Sequence, residues 1–288
     1  MTPYHLTFAD FELELGPKAC IMGILNATPD SFSDGGKFHT FDTAVAQGIK
    51  LVEEGAHILD IGGESSRPFA EPVSAQEEMD RVVPVIEALV KEINVPISID
   101  TVKASVARAA LDAGATIIND ISAFEKDPEM TALAAERNLP VILMHMKGTP
   151  ETMQVDPSYE DLMGEVVTYL KERAEFVMAQ GVAKENIILD PGIGFGKTVH
   201  HNLVLIQQLE QIDALGYPIL MGPSRKSFIQ NILTRKEKTD IGPDHVKTEY
   251  GTLAAVAASL HHGAHIVRVH DVQQVKAFTR IVDAIRNA

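Results

Sequence analysis

One unit recurs along the whole chain: an amphipathic segment ends near glycine, four to six apolar residues follow, and a polar residue closes the run. The runs are ACIMGIL closing at Asn26, HILDIGG with Asp60, PISI at Asp100, TIIN with Asn119 and Asp120, PVILM at His145, IIL at Asp190, PILMGPS at Ser224 and HIVRVH with Arg268 and His270, eight in all. Short, branched apolar runs of this kind read as strands buried on both faces of a parallel sheet. Eight strand-helix units in one chain without a linker are the number that closes into a barrel, so the expected fold is α/β, a (β/α)8 TIM barrel. Residues 4–15 alternate around Ala9 and Asp10, which predicts a short N-terminal β-hairpin within residues 1–18 and a barrel over 19–288, together one domain.

The intervening segments carry helical spacing. Ser74 and Glu77 form a possible capping box, and Met79, Val82, Val83, Ile86, Leu89, Val90 and Ile93 share a face, with Pro84 expected to kink that helix. Leu205, Ile206, Leu209 and Ile212 repeat the pattern, as do Val272, Val275, Phe278, Ile281, Val282 and Ile285. Gly55, Gly114, Gly181, Gly216 and Gly263 stand where helix C-caps belong. Two insertions interrupt the spacing, at Lys147 to Pro157 and at Thr234 to Val246. The first directly follows the fifth strand and is placed to reach over the barrel mouth.

Charge narrows the partners. With 25 basic against 40 acidic residues the net charge is −15, and no long basic cluster exists, which argues against nucleic acid or an anionic membrane. The lone Cys20 cannot form an intrachain disulfide, the acidic N-terminal stretch lacks the apolar core of a signal peptide, and no apolar run approaches the ~20 residues that span a bilayer; a cytoplasmic protein is expected.

In an α/β barrel the closing polar residues converge at the C-terminal mouth, which groups Asn26, Asp100, Asn119, Asp190, Lys226, Arg268 and His270 around one pocket. A single strand-end Asp or Asn is commonly a helix cap, but seven at corresponding positions are hard to explain that way. The stretch IILDPGIGFGK resembles a phosphate loop, yet Pro191 occupies the position where a Walker loop needs glycine, and Gly192, Gly194 and Gly196 lack the dinucleotide register. Those glycines are expected to let backbone approach a ligand. Asp100, Asn119 and Asp190, with apolar Ile121, Met144 and Phe195 nearby, suit a flat heterocycle rich in N–H donors. Asn26, Lys226, Arg268 and His270 suit an anion, and the loops GPSRKSF and RVHDV follow the seventh and eighth strands, where barrels frequently bind phosphate. Adjacent His200 and His201 diverge on a helix and read as surface rather than as metal ligands.

The motifs GILNATPDSFSDGG, DIGGESSRP, ISIDT, INDIS, LMHMKGTP, LDPGIGFGKT, SRKSFI and GAHIVRVHDV resemble, in order and along nearly the whole chain, the dihydropteroate synthase family. That resemblance implies a transferase of folate biosynthesis, a sulfonamide target, that joins 4-aminobenzoate to 6-hydroxymethyl-7,8-dihydropterin pyrophosphate and releases pyrophosphate. It implies that Asp100, Asn119, Asp190 and Lys226, with Met144 and Phe195, hold the pterin, and that Asn26 binds Mg2+ and, with Arg268 and His270, the pyrophosphate. It also implies that Ser66, Arg67 and Pro68, with Phe195 and Ser227, form the 4-aminobenzoate site. Lys226, Asp100, Arg67 and Arg268 are then the catalytic set. The partners implied are these small molecules and a second copy in a homodimer, for which the alanine-rich Leu253 to Leu260 offers a packing face. The loops Ala27 to Lys37, with Asp30, Asp34, Gly35 and Gly36, and Gly62 to Glu71 fit lids over the mouth. The chain departs from the family pattern at Ser66, where Thr is usual, at Phe69, where Gly is usual, and at Pro223 before SRKSF. Two rivals are a pterin-binding methyltransferase barrel, which needs no pyrophosphate site, and a paralogue that binds pterin without catalysis.

Overall fold

The computed structural model describes residues 2–28, 37–65, 72–149, 152, 153, 155–237 and 241–288. Ser66, Arg67, Pro68, Phe69, Asp30, Asp34, Gly35 and Gly36 lie outside the described residues.

The eight expected runs are eight strands: β3 (Cys20–Asn26), β4 (Ile58–Gly62), β5 (Ile97–Asp100), β6 (Ile117–Asp120), β7 (Val141–Met144), β8 (Ile187–Asp190), β9 (Leu220–Met221) and β10 (Ile266–Val269). They pair in parallel in the order β8-β7-β6-β5-β4-β3-β10-β9, and a parallel bridge between Leu189 and Ile219 joins the two ends, closing the barrel. The helices between them form an outer ring: α1 (Lys37–Glu54), α2 (Ala75–Leu89), α3 (Ala104–Asp112), α4 (Pro128–Arg137), α5 (Leu162–Ala179), α6 (Val199–Gln207), α7 (Glu210–Asp213), α8 (Ser227–Glu237), α9 (Val246–His261) and α10 (Val272–Arg286). The five glycines read as C-caps all have positive φ, between 75° and 114°.

The two-residue period of a strand decides what fills the barrel. Met22, Ile58, Ile117, Ile142, Ile188, Leu220 and Ile266 share one buried apolar cluster at the barrel floor. Two residues further along these strands the inward position is Asp60 after Ile58, Asn119 after Ile117, Met144 after Ile142, Asp190 after Ile188 and Arg268 after Ile266. The sequence therefore builds an apolar floor with a polar layer above it, opening to the mouth.

The floor is sealed from below. β1 (Tyr4–Phe8) and β2 (Phe11–Leu15) form the expected antiparallel hairpin, with Ala9 in the left-handed region at the turn. Leu6, Phe8 and Leu15 pack on the floor cluster, while His5, Thr7, Glu12 and Glu14 face out. Each such burial contributes about 1.5–3 kcal/mol.

Four details differ from the helical expectations. Ser74 caps α2 by accepting from the Glu77 N–H at 3.2 Å, but the Glu77 carboxylate pairs with Arg81 at 2.5 Å instead of returning to the cap. Glu78, not Val90, is buried on α2. The helix after Asp190 is two pieces, α6 and α7, broken at Gln208. On α10 the inward stripe is Val272, Val275 and Thr279, whereas Ile281 and Ile285 are exposed. Helical spacing allowed either stripe, and polar ties chose: the Asp283 carboxylate accepts from the Ala19 N–H, and Arg286 donates to the Gly16 carbonyl. The alanine-rich part of α9 turns Ala255, Val256 and Leu260 into its own core. Among the described residues, no helix is long and apolar enough to cross a membrane.

Candidate active site

Strand register brings the mouth residues to one level. Asn26 pairs with Gly62, Gly62 with Asp100, Asp100 with Asn119, and Met144 with Asp190. Beside them Met144, Met153 and Phe195 form a small buried apolar cluster, flanked by Ile121 and Met146. This is the apolar wall expected from Ile121, Met144 and Phe195. Met153, in the insertion after β7, packs with Met144 and Phe195 in this wall.

Arg268 is the electrostatic centre. Its Nε donates to Asp60 Oδ2 at 2.5 Å and its Nη2 to Asp100 Oδ2 at 2.7 Å, and Asn119 Nδ2 donates to the same Asp60 oxygen at 3.1 Å. Burial opposes the guanidinium charge, but Asp60, Asp100 and Asp190 outweigh it and raise its pKa. Asp100 is lifted to about 7 by burial, with Asp60, Glu78 and Asp120 adding to the rise and Arg268 opposing it. Asp60 is fully buried, and its Oδ1 has no hydrogen-bond partner among the described residues. It is the residue that the sequence reading passed over: it stood in the recurring pattern, but nothing in the sequence reported that it faces Arg268.

Asp190 closes β8 as expected. Its Oδ1 accepts from the Gly192 N–H at 2.7 Å, an Asx turn that aims the carboxylate across the mouth. Burial raises its pKa to about 6, against the Gly192 N–H, Lys226, Lys197 and Arg268. Lys226 lies with its Nζ 4.0 Å from the Phe195 ring centroid, a cation–π contact. Burial, then Arg268, lower its pKa to about 8, while Asp190 and Asp100 pull upward. Arg225, immediately before it, sits in the left-handed region at φ 56° and is tied to Asp271 at 2.9 Å. His270 Nδ1 and Ser224 Oγ are 2.9 Å apart, linking the loops after β9 and β10. Ser227 opens α8 and is exposed; Asn26 ends β3 half-buried. Asn26, Asp100, Asn119, Asp190, Lys226, Arg268 and His270 thus all reach the C-terminal end of one barrel.

The glycine-rich turn behaves differently from expectation. Gly192 has φ +71° and a Cβ there would lie 1.9 Å from the His145 carbonyl oxygen; Gly196 has φ +63° and a Cβ there would lie 2.3 Å from that of Lys147. These two glycines let backbone approach backbone, not ligand, and so seat the turn on the end of β7. Gly192→Ala combines the clash with left-handed strain and is expected to destabilise the fold by about 2–4 kcal/mol. Urea denaturation checks this. His200 is exposed and His201 completes the α6 capping box with Thr198, and among the described residues no group of three His, Cys, Asp or Glu side chains is placed to hold a metal.

A closed β/α barrel whose mouth combines carboxylates and an amide with an apolar wall and several cations is the architecture of a pterin-binding enzyme, and the profile of that family, pterin binding enzyme, matches residues 22–270. A dihydropteroate synthase from Synechocystis is 48% identical over 270 residues, covering 94% of this chain and 91% of the relative; one from Bacillus subtilis is also 48% identical, over 94% and 90%. The chain belongs to the dihydropteroate synthases, transferases of folate biosynthesis. Among solved structures, a Xanthomonas albilineans dihydropteroate synthase with 4-aminobenzoic acid superposes with a TM-score of 0.91 at 40% identity, covering 100% of both chains. A Yersinia pestis dihydropteroate synthase in a sulfonamide drug complex does so with 0.89 at 42% identity, over 98% and 99%.

Proposed function

We propose that this chain, as one domain, condenses 6-hydroxymethyl-7,8-dihydropterin pyrophosphate with 4-aminobenzoate through the residues at the barrel mouth. The observation that carries the reading is the convergence of Asp100, Asn119 and Asp190 from three strands beside the Met144 and Phe195 wall. A pterin presents a ring N–H and an exocyclic amine side by side, and Asp190 is placed to accept both. Asn119 both donates and accepts, and Lys226 and Asp100 complete the ring's polar edge. Arg268 uses two N–H groups on Asp60 and Asp100 and retains others, so with His270 and Asn26 it serves the pyrophosphate. Ser66, Arg67, Pro68 and Ser227 take 4-aminobenzoate.

In the reaction the bond between the pterin methylene carbon and the leaving oxygen breaks with its electron pair going to pyrophosphate. The aromatic amine lone pair forms the new carbon–nitrogen bond and the amine loses a proton. No side-chain nucleophile is needed. On this reading Lys226 and Arg268 stabilise the negative charge that grows on the leaving group. Mg2+ fits the donors available: Asn26 offers one neutral oxygen, and a magnesium ion takes much of its shell from water and substrate phosphates. When bound, it would offset charge on the pyrophosphate. The protein is assigned to the cytoplasm as a homodimer, which a dimeric mass in light scattering would support.

The raised Asp190 pKa gives a signed prediction. Accepting two N–H groups favours the ionised carboxylate, so pterin binding lowers that pKa from about 6. Affinity should therefore rise with pH through about 6, with proton release on binding there that fades as Asp190 becomes ionised in the free enzyme. Calorimetry in two buffers of different ionisation enthalpy reads this directly; proton uptake would contradict it. The substrate order is tested by equilibrium dialysis. Labelled 4-aminobenzoate should bind weakly to free enzyme and bind once pyrophosphate and Mg2+ are present; Arg67→Ala should lose that coupling but keep pterin affinity. Tight binding to bare enzyme would point to direct displacement by a pre-bound amine.

A further inference from the structure

Lys197 follows the glycine-rich turn, is 3% exposed, and has no place in the chemistry above. Its Nζ donates to the Phe195 carbonyl at 2.9 Å and the His145 carbonyl at 3.3 Å, and lies 3.0 Å from His145 Nδ1. Burial, then the Lys197 charge, lower the His145 pKa to about 3, so its ring is neutral and Nδ1 can accept. The ring is fixed by Tyr169, edge-on at 5.0 Å. Three acceptors thus converge on the Lys197 nitrogen, whose pKa burial lowers to about 7 against the upward pull of Asp190; protonated, it carries one donor for each.

The two ends of this bridge matter. His145 follows β7, whose Met144 lines the apolar wall, and Phe195 carries the ring on which Lys226 rests. The rest of the turn is held from outside: Gly194 donates to Asn202 Oδ1 at 2.7 Å and Tyr159 donates to the Gly196 carbonyl at 2.8 Å. Lys197 joins the Phe195 backbone to the strand end.

We infer that Lys197 is a positioning residue for the pterin half of the reaction: by bridging the Phe195 and His145 carbonyls it sets the Phe195 ring, the Lys226 ammonium and the Asp190 carboxylate at their working separation. The inference rests on the reading of Asp190, Phe195 and Lys226 as pterin-holding residues. It carries a second consequence, because Lys197 is also among the cations that favour the ionised form of Asp190. Among the described residues, the charged groups acting on Asp190 are Lys197, Lys226 from the loop before α8 and Arg268 from β10, with neutral His145 just after β7.

The test uses the full-length enzyme. Lys197→Met keeps the stem and its packing and removes the donors. Expected are a KM for the pterin substrate raised about tenfold or more, a KM for 4-aminobenzoate changed by less than about twofold, and a thermal midpoint lowered by the loss of the donor to two buried carbonyls, offset in part by removal of a buried charge. The acid limb of pterin affinity should also move to higher pH. His145→Phe keeps the ring contact with Tyr169 and removes only the Nδ1 acceptor, and a smaller shift, about threefold and again confined to the pterin substrate, is expected. Equal changes in both KM values, or unchanged pterin KM with a lowered thermal midpoint, would overturn the inference and leave Lys197 a part of the scaffold. Asp190→Asn run in parallel separates the two levels. If it weakens pterin binding while Lys197→Met does not, the inference alone fails; if it leaves pterin binding intact, the site reading fails and takes the inference with it.

Discussion

Asp190→Asn is expected to abolish measurable turnover at ordinary substrate concentrations, through loss of pterin affinity rather than loss of fold. The wild-type carboxylate accepts the Gly192 N–H at one oxygen and is proposed to accept two substrate donors. An amide presents one acceptor oxygen and adds two donors, so at least one buried N–H of the bound pterin would face another N–H. Leaving such a group unmet costs about 1–3 kcal/mol, and two together correspond to roughly a hundredfold or more in affinity. Burial disfavours the ionised aspartate, so the amide is expected to leave stability equal or higher. Calorimetry with the pterin substrate, beside a thermal melt, separates the two effects. Unchanged affinity would remove Asp190 from the site.

Arg268→Ala is expected to produce the largest loss of stability of any single change at the mouth. Asp60 is fully buried and takes its charged partner from Arg268, while Asn119 supplies one neutral donor and, among the described residues, the Asp60 Oδ1 has none. Removing one member of a buried ion pair leaves an uncompensated charge and costs about 3–5 kcal/mol. Catalysis should fall as well, because the guanidinium also fixes Asp100 and serves the leaving group. The double variant Asp60→Asn, Arg268→Met should recover much of the stability and none of the activity, since stability needs only that the charges match and catalysis needs the cation. Chemical denaturation and turnover of the three proteins decide it; a single variant as stable as wild type would mean that Asp60 finds its partner elsewhere.

Much of this architecture was legible because a barrel strand carries its instructions locally. Ile58 and Asp60, Ile117 and Asn119, Ile188 and Asp190, and Ile266 and Arg268 are each two residues apart, and the strand period alone sends both members of every pair inward. The floor, the polar layer and its site residues follow from that spacing. What stayed hidden depends on closure. Arg268 and Asp60 are 208 residues apart and meet because β10 and β4 both flank β3, a fact of ring order that no local window contains. The use of Gly192 and Gly196 was hidden for a related reason: their positive φ was foreseeable, but the carbonyls they approach follow β7, a different strand. Lys197 gave no sign of burial, since a lysine after a glycine turn is ordinarily solvated. Helix α10 shows the remaining ambiguity, where two stripes satisfy helical spacing and the choice fell to Asp283 and Arg286 reaching the connection between β2 and β3.

The most direct test of the whole reading is turnover itself. The purified protein is incubated with 6-hydroxymethyl-7,8-dihydropterin pyrophosphate and Mg2+, with and without 4-aminobenzoate, and pyrophosphate and dihydropteroate are both quantified. The expected result is pyrophosphate and dihydropteroate formed in equal amounts when both substrates are present, inhibited by a sulfonamide that competes with 4-aminobenzoate. Pterin substrate bound at the mouth with no dihydropteroate formed in the complete mixture would contradict it and mark the chain as a pterin-binding relative without this chemistry.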